Sequence, residues 1–288
     1  MKPLLTDRVA IINGGASGMG RATALLFAQE GCHCVIADVN EQAGPEAAAE
    51  ASARGAEAIF VPCDLADLGQ IKACVDRTVA RFGKVEILVG CAGGSVPRER
   101  AAPGDRRKRG IRYADEDAYD LIMAVNFKGH LFFCKEVSGY MIDQRYGKIC
   151  LVSSMGVYHP PGPAAEYHSA KAGIIGLVYN LAYELAPSNI NVNGILPGPV
   201  RSPFWDPVLA DVPEDKRDAA LDEIGRGLPL GHVGKPEDIA NTALFLCSEM
   251  SAFITGQMIS VAGGIPMDHY EAGGRIGNVP DTPEKERG

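Results

Sequence analysis

Residues 8–20, RVAIINGGASGMG, with the RATALLFAQEG that follows, decide the fold. RVAIING is a short apolar run that reads as a buried strand, GGASGMG comes at once, and RATALLFAQEG then spaces its apolar residues as a helix does. A strand, a glycine turn and a helix in that order make an anion site, because unpaired backbone N–H groups and the helix dipole face out of the turn toward a pyrophosphate. Gly14, Gly18 and Gly20 permit the tight turn and close approach that a Cβ would block. Asn13, Ser17 and Met19 complete the candidate dinucleotide cradle.

The next apolar run, CHCVIAD, ends in Asp38. A carboxylate at that strand end can accept hydrogen bonds from an adenosine ribose and repels a 2′-phosphate. Ser17 and Val39, where a phosphate-binding cation could sit, are not basic, so NAD is expected over NADP. The alternation then repeats: a helical stretch to about residue 54, the strand AEAIFVPCD, a helix over Leu68–Phe82 and the strand VEILVGCAG. Strands separated by helices of this length imply βαβ crossovers, and the expected fold class is α/β: a doubly wound parallel sheet, Rossmann-like, with helices on both faces. Asp64 and Leu65 past the third strand, and Cys91, Ala92 and Gly93 past the fourth, fall at carboxyl ends of strands, where such sheets bind ligands. A sixth strand, NINVNGILPGPV, stops at Pro197 and Gly198, a turn expected to place backbone groups against a nicotinamide, with Val200 beside it and Ser202 as a hydroxyl partner for the carboxamide. KPEDIANTALFLCSE reads as one more helix and QMISVAGG as a last strand.

The chemistry is expected in residues 154–171, SMGVYHPPGPAAEYHSAK. Tyr167 and Lys171 stand four apart at the head of AGIIGLVYNLAYELA, whose apolar spacing puts both on one helix face. Two unit charges about 4 Å apart interact by roughly 4 kcal/mol at an effective dielectric near 20, enough to lower a phenol pKa by up to about three units. Tyr167 is therefore a candidate proton acceptor and donor near neutral pH. Ser154 closes the apolar run ICLVSS, where its hydroxyl can hydrogen-bond the oxygen being deprotonated. DEDAYDLIMAVNFKGHLFFCKEVSGYMI reads as one long helix with Asn126 inside it, an unfavourable interior residue.

At 288 residues and net charge −8 the chain is sized for one such sheet and ill suited to wholesale nucleic-acid binding. The amino terminus has no signal-peptide core, and no apolar run is long enough for a membrane span. The eight cysteines lack metal-ligand spacing and fall mostly in apolar runs, so they read as reduced core thiols of a cytoplasmic protein, and no metal site is expected. A single domain over residues 1–288 is expected, with three interruptions. Residues 95–113 form a basic insertion with Arg98, Arg100, Arg106, Arg107, Lys108, Arg109 and Arg112, read as a solvated surface or as a clamp for an anionic substrate tail. Residues 201–230 read as an irregular substrate lid, and the tail from about residue 265 has no periodicity.

In this order the pieces resemble the short-chain dehydrogenase/reductase family over about residues 5–265. The family's glycine pattern appears as Asn13, Gly14, Gly18 and Gly20, its acidic cofactor selector as Asp38 and its adenine-side aspartate as Asp64. Its Asn, Ser, Tyr, Lys tetrad maps onto Asn126, Ser154, Tyr167 and Lys171, and its Pro-Gly turn onto Pro197 and Gly198. Two departures stand out: Asn13 replaces the usual Thr, and Gly90-Cys91-Ala92-Gly93 replaces Asn-Asn-Ala-Gly, so altered bracing of the fourth strand is expected. The resemblance implies that Tyr167 takes the hydroxyl proton as hydride passes to NAD. It also implies that Ser154 polarises the substrate oxygen, that Lys171 lowers the Tyr167 pKa and holds the nicotinamide ribose, and that Asn126 fixes a helix bend and a proton-relay water. A homotetramer is expected through the helices after the fourth strand and after Tyr167.

Ser95, Met155, Val157, Tyr158, His159, Pro160, Phe204 and Trp205 are expected to border a roomy, mostly apolar substrate pocket. That favours a cyclic or bulky secondary alcohol and its ketone: an alicyclic alcohol, a hydroxysteroid or a dihydrodiol. A 3-oxoacyl-thioester reductase would suit the basic insertion but fits Asp38 poorly, since such enzymes usually use NADPH. A sugar-nucleotide epimerase would need other glycine spacing and a longer carboxyl-terminal part. From another class, a non-catalytic NAD-binding sensor or scaffold would not need the tetrad.

Overall fold

The described residues of the computed structural model are 2–94, 110–206, 209 and 212–265. Ser95, the basic stretch up to Arg109 and the tail from residue 266 lie outside them, and with them the clamp and tail expectations.

Seven strands, β1 (Val9–Asn13), β2 (His33–Asp38), β3 (Ala58–Pro62), β4 (Ile87–Gly90), β5 (Gly147–Val152), β6 (Ile190–Pro197) and β7 (Met258–Val261), form one sheet. Its order is β3-β2-β1-β4-β5-β6-β7, and every pairing is parallel. Eight helices among the described residues surround it: α1 (Gly18–Gln29), α2 (Ala43–Ser52), α3 (Leu68–Phe82), α4 (Glu116–Met123), α5 (Gly129–Asp143), α6 (Ala165–Leu185), α7 (Glu214–Arg226) and α8 (Pro236–Cys247). A parallel sheet covered on both faces needs strands apolar at successive positions. Alternate residues of each strand accordingly feed opposite cores. Ile11, Val35, Leu88 and Leu151 pack with Cys74 of α3, Phe133 of α5 and Ile174 of α6. Ala10, Ile12, Cys34, Ile36 and Val89 pack with Phe27 of α1, Ala47 of α2 and Ile239 of α8.

Local chemistry sets the helix ends. Asp67 caps α3 by accepting from the Gly69 and Gln70 amides, and Gly83, at φ 75°, stops it in the left-handed region. Pro236 opens α8, where Asp238 reaches back to the Lys235 amide at 2.7 Å. All eight cysteines are free; seven are buried and Cys91 is half-buried. No helix among the described residues is long and apolar enough to cross a membrane.

Two expectations about elements need correction. The long helix around Asn126 is two α-helices, α4 and α5, joined by one π-helical turn over Ala124–Lys128. The Asn126 side-chain amide donates to Ile122 O at 3.0 Å, a contact that competes with the backbone ladder where the turn widens. Residues 201–230, read as irregular, contain the thirteen-residue helix α7. Only Leu221 and Gly225 of that helix are buried, so its apolar period is too faint to read.

Strand register places the functional edge. Asn13 lies opposite both Ala37 and Gly90, so the glycine turn after β1, Asp38 at the end of β2 and Cys91–Gly93 after β4 open on one carboxyl-terminal edge. Chain direction reverses its march across the sheet between β1 and β4, the crevice where such sheets bind ligands.

Candidate active site

The glycine turn is built for close approach. Gly14 (φ 70°) has no room for a side chain: a Cβ there would lie 2.6 Å from Ala92 N, and one on Gly20 would lie 2.1 Å from Gly14 O. The turn therefore packs backbone closely against backbone just before α1. Ser17 precedes α1 with its side chain making no cap and is exposed, while Met19 is partly buried against the core. Gly18 (φ 50°) faces Ser202, whose Cβ a methyl there would meet at 3.3 Å, so the segment after β6 closes over the turn. These features fit a dinucleotide's pyrophosphate.

Asp38 points into the same crevice. Its carboxylate accepts from Ala16 N and from Asn40 N, both at 3.0 Å, tying the glycine turn to the loop after β2. The Arg21 guanidinium, early in α1, is held by Glu50 of α2 at 2.6 Å. Asp64 accepts from Ala66 N at 2.8 Å and stands half-buried at the end of β3. Leu65 turns its side chain into the core, and Gly129 packs against its carbonyl. Gly198 N–H donates to Val261 O at 3.0 Å, so that amide of the Pro197-Gly198 turn is already engaged. Val200 is buried and bridges Gly234.

The expected tetrad comes from three elements that converge past β4 and β5. Tyr167 and Lys171 lie on the buried face of α6 with Ala170, Ile174 and Val178. The Lys171 ammonium is 6.0 Å from the centroid of the Tyr167 ring and donates to Val152 O at 3.0 Å. Burial pushes its pKa down to about 8, with Cys91 opposing slightly. Ser154 begins the turn 155–157, which packs against α6, and its hydroxyl accepts from Gly156 N at 3.0 Å. Asn126 is fully buried; its Oδ1 accepts from Gly94 N at 3.1 Å and its Nδ2 donates to Gly94 O at 2.9 Å.

Side chains from neighbouring elements brace the segment after β4. Ala92 N–H donates to Asn13 Oδ1 at 2.9 Å, so Asn13 does the work from the neighbouring strand. Burial pushes the Cys91 thiol up to about 12. Gly93 (φ 145°) lies so close to the tetrad that a Cβ would sit 2.6 Å from Asn126 Oδ1 and 2.9 Å from Lys171 Nζ.

Around Tyr167 a separate apolar cluster gathers: Ile122 and Ala170, with Met123, Phe127, Ala164 and Phe204 against them. The Phe204 ring centre is 6.1 Å from that of Tyr167. Trp205 packs edge-on behind Phe204 at 6.0 Å and spends its indole N–H on Val200 O at 2.8 Å. Met155 is buried in the main core, with Ser260 Oγ 3.3 Å from its sulfur. Tyr158 is exposed and His159 half-buried.

Sequence reasoning missed two residues. Ser153 is buried and donates to Lys171 O at 2.7 Å, tying β5 to α6; its place beside Ser154 was the available signal. His130 is buried with Nε2 2.9 Å from Ala92 O.

A family model described as "Enoyl-(Acyl carrier protein) reductase" matches residues 14–266. The chain is 37% identical to the 3-oxoacyl-[acyl-carrier-protein] reductase FabG of Thermotoga maritima over 262 residues, 91% of this chain and 98% of that protein. It is 36% identical to the (2S)-[(R)-hydroxy(phenyl)methyl]succinyl-CoA dehydrogenase subunit BbsD of Thauera aromatica, covering 90% of this chain and 97% of that one. The crystal structure of levodione reductase superposes with a TM-score of 0.82 at 28% identity, over 90% of this chain and 98% of the other. The chain belongs to the short-chain dehydrogenase/reductase family and is an oxidoreductase that uses a nicotinamide cofactor.

Proposed function

We propose that the chain interconverts a cyclic or bulky secondary alcohol and its ketone with NAD(H), in a reducing cytoplasmic setting that suits its eight free cysteines. The observation that carries this reading is the buried Lys171 ammonium beside Tyr167 inside an apolar cluster. A nicotinamide held in the crevice would supply the hydride chemistry, as acceptor in oxidation and donor in reduction. Tyr167 takes the hydroxyl proton in oxidation and gives it back in reduction. Lys171 favours the phenolate by its charge and reaches the cofactor's ribose from the same face. Ser154 holds the substrate oxygen. Asn126, in the π-helical turn, keeps Gly94 and the loop after β4 in place. Gly14, Gly18 and Gly20 would hold the pyrophosphate, Asp64 the adenine side and Ser202 the carboxamide. Tyr140 and Ile142 on α5 and Tyr179 and Tyr183 on α6 are exposed, which supports assembly as a homotetramer through those helices. Light scattering checks this.

Asp38 carries the cofactor preference, since its charge opposes a 2′-phosphate and Arg21 is engaged by Glu50. Asp38→Asn keeps an acceptor for Ala16 N and removes the charge. It should raise the ratio of kcat/KM with NADP to that with NAD by about tenfold, equivalent to about 1.4 kcal/mol. An unchanged ratio would count against Asp38 as the selector.

A second reading, reduction of a 3-oxoacyl thioester, draws on the names of the Thermotoga and Thauera relatives. A panel of cyclic ketones, oxosteroids and 3-oxoacyl thioesters, each with NADH and NADPH, separates the two. The apolar cluster around Tyr167 favours the cyclic substrates with NADH, and higher kcat/KM for a thioester with NADPH would replace the first reading by the second.

A further inference from the structure

At the end of β4, Gly90 is bare where a side chain would collide: a Cβ there would lie 2.7 Å from His130 Nδ1 and 2.8 Å from Leu151 Cδ2. His130 comes from the first turn of α5, one turn beyond Asn126, and is completely buried. Its Nε2 lies 2.9 Å from Ala92 O. A carbonyl only accepts, so Nε2 must carry a proton. Burial, assisted by the Lys171 charge, pushes the imidazole pKa down to about 3, so the ring is neutral at working pH and Nδ1 is an acceptor. Among the described residues that buried Nδ1 has no partner, a cost that a leucine in the same space would avoid. Packing alone therefore does not account for the imidazole; the bond it donates does.

That bond acts on a peptide next to the tetrad. Asn13 Oδ1 holds the Ala92 N–H and His130 holds the Ala92 carbonyl. Gly93 follows, wedged against Asn126 Oδ1 and Lys171 Nζ, and Gly94 is held at both ends of its backbone by Asn126. A shift of the Ala92 carbonyl would carry Gly93 into or away from the Lys171 ammonium.

We propose that His130 is a positioning residue that braces the loop after β4 in place of a side chain on the strand itself, with Gly90 as the clearance for its ring, and so sets the seat of Lys171. The catalytic consequence rests on the functional reading above, while the brace itself is a property of the protein without cofactor.

His130→Leu keeps apolar volume and loses the donor; His130→Gln offers an amide N–H at about the reach of Nε2. Amide hydrogen exchange over residues 88–94 in the cofactor-free protein is measured alongside kcat and KM. The brace predicts exchange at Ala92 and Gly94 roughly tenfold faster in the leucine variant, kcat lower by a similar factor with alcohol KM little changed, and recovery of most of both in the glutamine variant. Gly90→Ala, which drives a methyl into the ring, should reproduce the leucine result by a separate route and serves if the leucine variant misfolds. A folded leucine variant with wild-type exchange and kcat, or leucine and glutamine variants that behave alike, would overturn the proposal. Wild-type protein with the expected exchange pattern but no turnover with any cofactor would overturn the functional reading and leave the brace supported.

Discussion

Tyr167→Phe is expected to lower turnover by about 10²–10⁴-fold while leaving NAD affinity within about a factor of two. The substitution removes one hydroxyl and nothing else. The ring is 9% exposed and keeps its contacts with Ile122, Ala170 and Phe204, so the fold and the crevice stay intact. Binding titrations and rates on the same preparation then separate the two halves of the account. A protein that only senses or scaffolds NAD would show no rate to lose. With hydride transfer rate-limiting, wild-type alcohol oxidation should also rise with pH between about 6 and 9.5, since the phenolate is the proton acceptor. A flat profile over that range would remove Tyr167 from that role.

Lys171→Met is expected to abolish most activity and to make the protein more stable at pH 7. The ammonium is 3% exposed, and burial lowers its pKa from 10.5 to about 8 in the folded chain. Below about pH 8 the group is charged in both folded and unfolded states, so the folded state bears the full desolvation cost, roughly 3 kcal/mol from the size of the shift. Between about pH 8 and 10.5 the unfolded chain binds more protons than the folded one, so wild-type stability rises with pH through that window. Methionine removes the buried charge but leaves Val152 O without its donor, a loss of about 1 kcal/mol, so a net gain of roughly 2 kcal/mol remains at pH 7. Denaturant unfolding of both proteins across the pH range measures it. A variant less stable than wild type at pH 7, or a difference that does not shrink toward pH 10.5, would show that Lys171 does not store this cost.

Much of the architecture was legible because a doubly wound sheet advertises itself. Its strands are mainly apolar runs, with β1 and β5 buried throughout, and most are separated by helices of readable period. The shared carboxyl-terminal edge was legible for the same reason: a glycine turn after a strand, and Asp38 at a strand end, are local signals. What stayed hidden depends on neighbours distant in sequence or on weak periodicity. His130 looked like one more residue of an apolar helix, and its role exists only because Gly90, on another element, leaves space for it. Asn126 was singled out, yet its π-helical turn could not be read from a run whose helical period continues on both sides. Helix α7 buries too little to show a stripe, and Arg201 holds it through Asp218 and Asp222, a pairing across elements. The burial of Met155 was equally hidden, because a turn immediately after a strand can roll a side chain to either face, and here it joins the core.

The central claim is that hydride passes directly between the carbinol carbon of a secondary alcohol and the nicotinamide, with Tyr167 handling the proton. The most direct measurement uses the alcohol selected by the substrate panel, deuterated at the carbinol carbon, with NAD and wild-type enzyme, following reduced-cofactor absorbance and then weighing the cofactor. The account predicts rising absorbance, reduced cofactor carrying the deuterium, and near-complete loss of both in Tyr167→Phe. Deuterium released to water, or a Tyr167→Phe variant as fast as wild type, would contradict it.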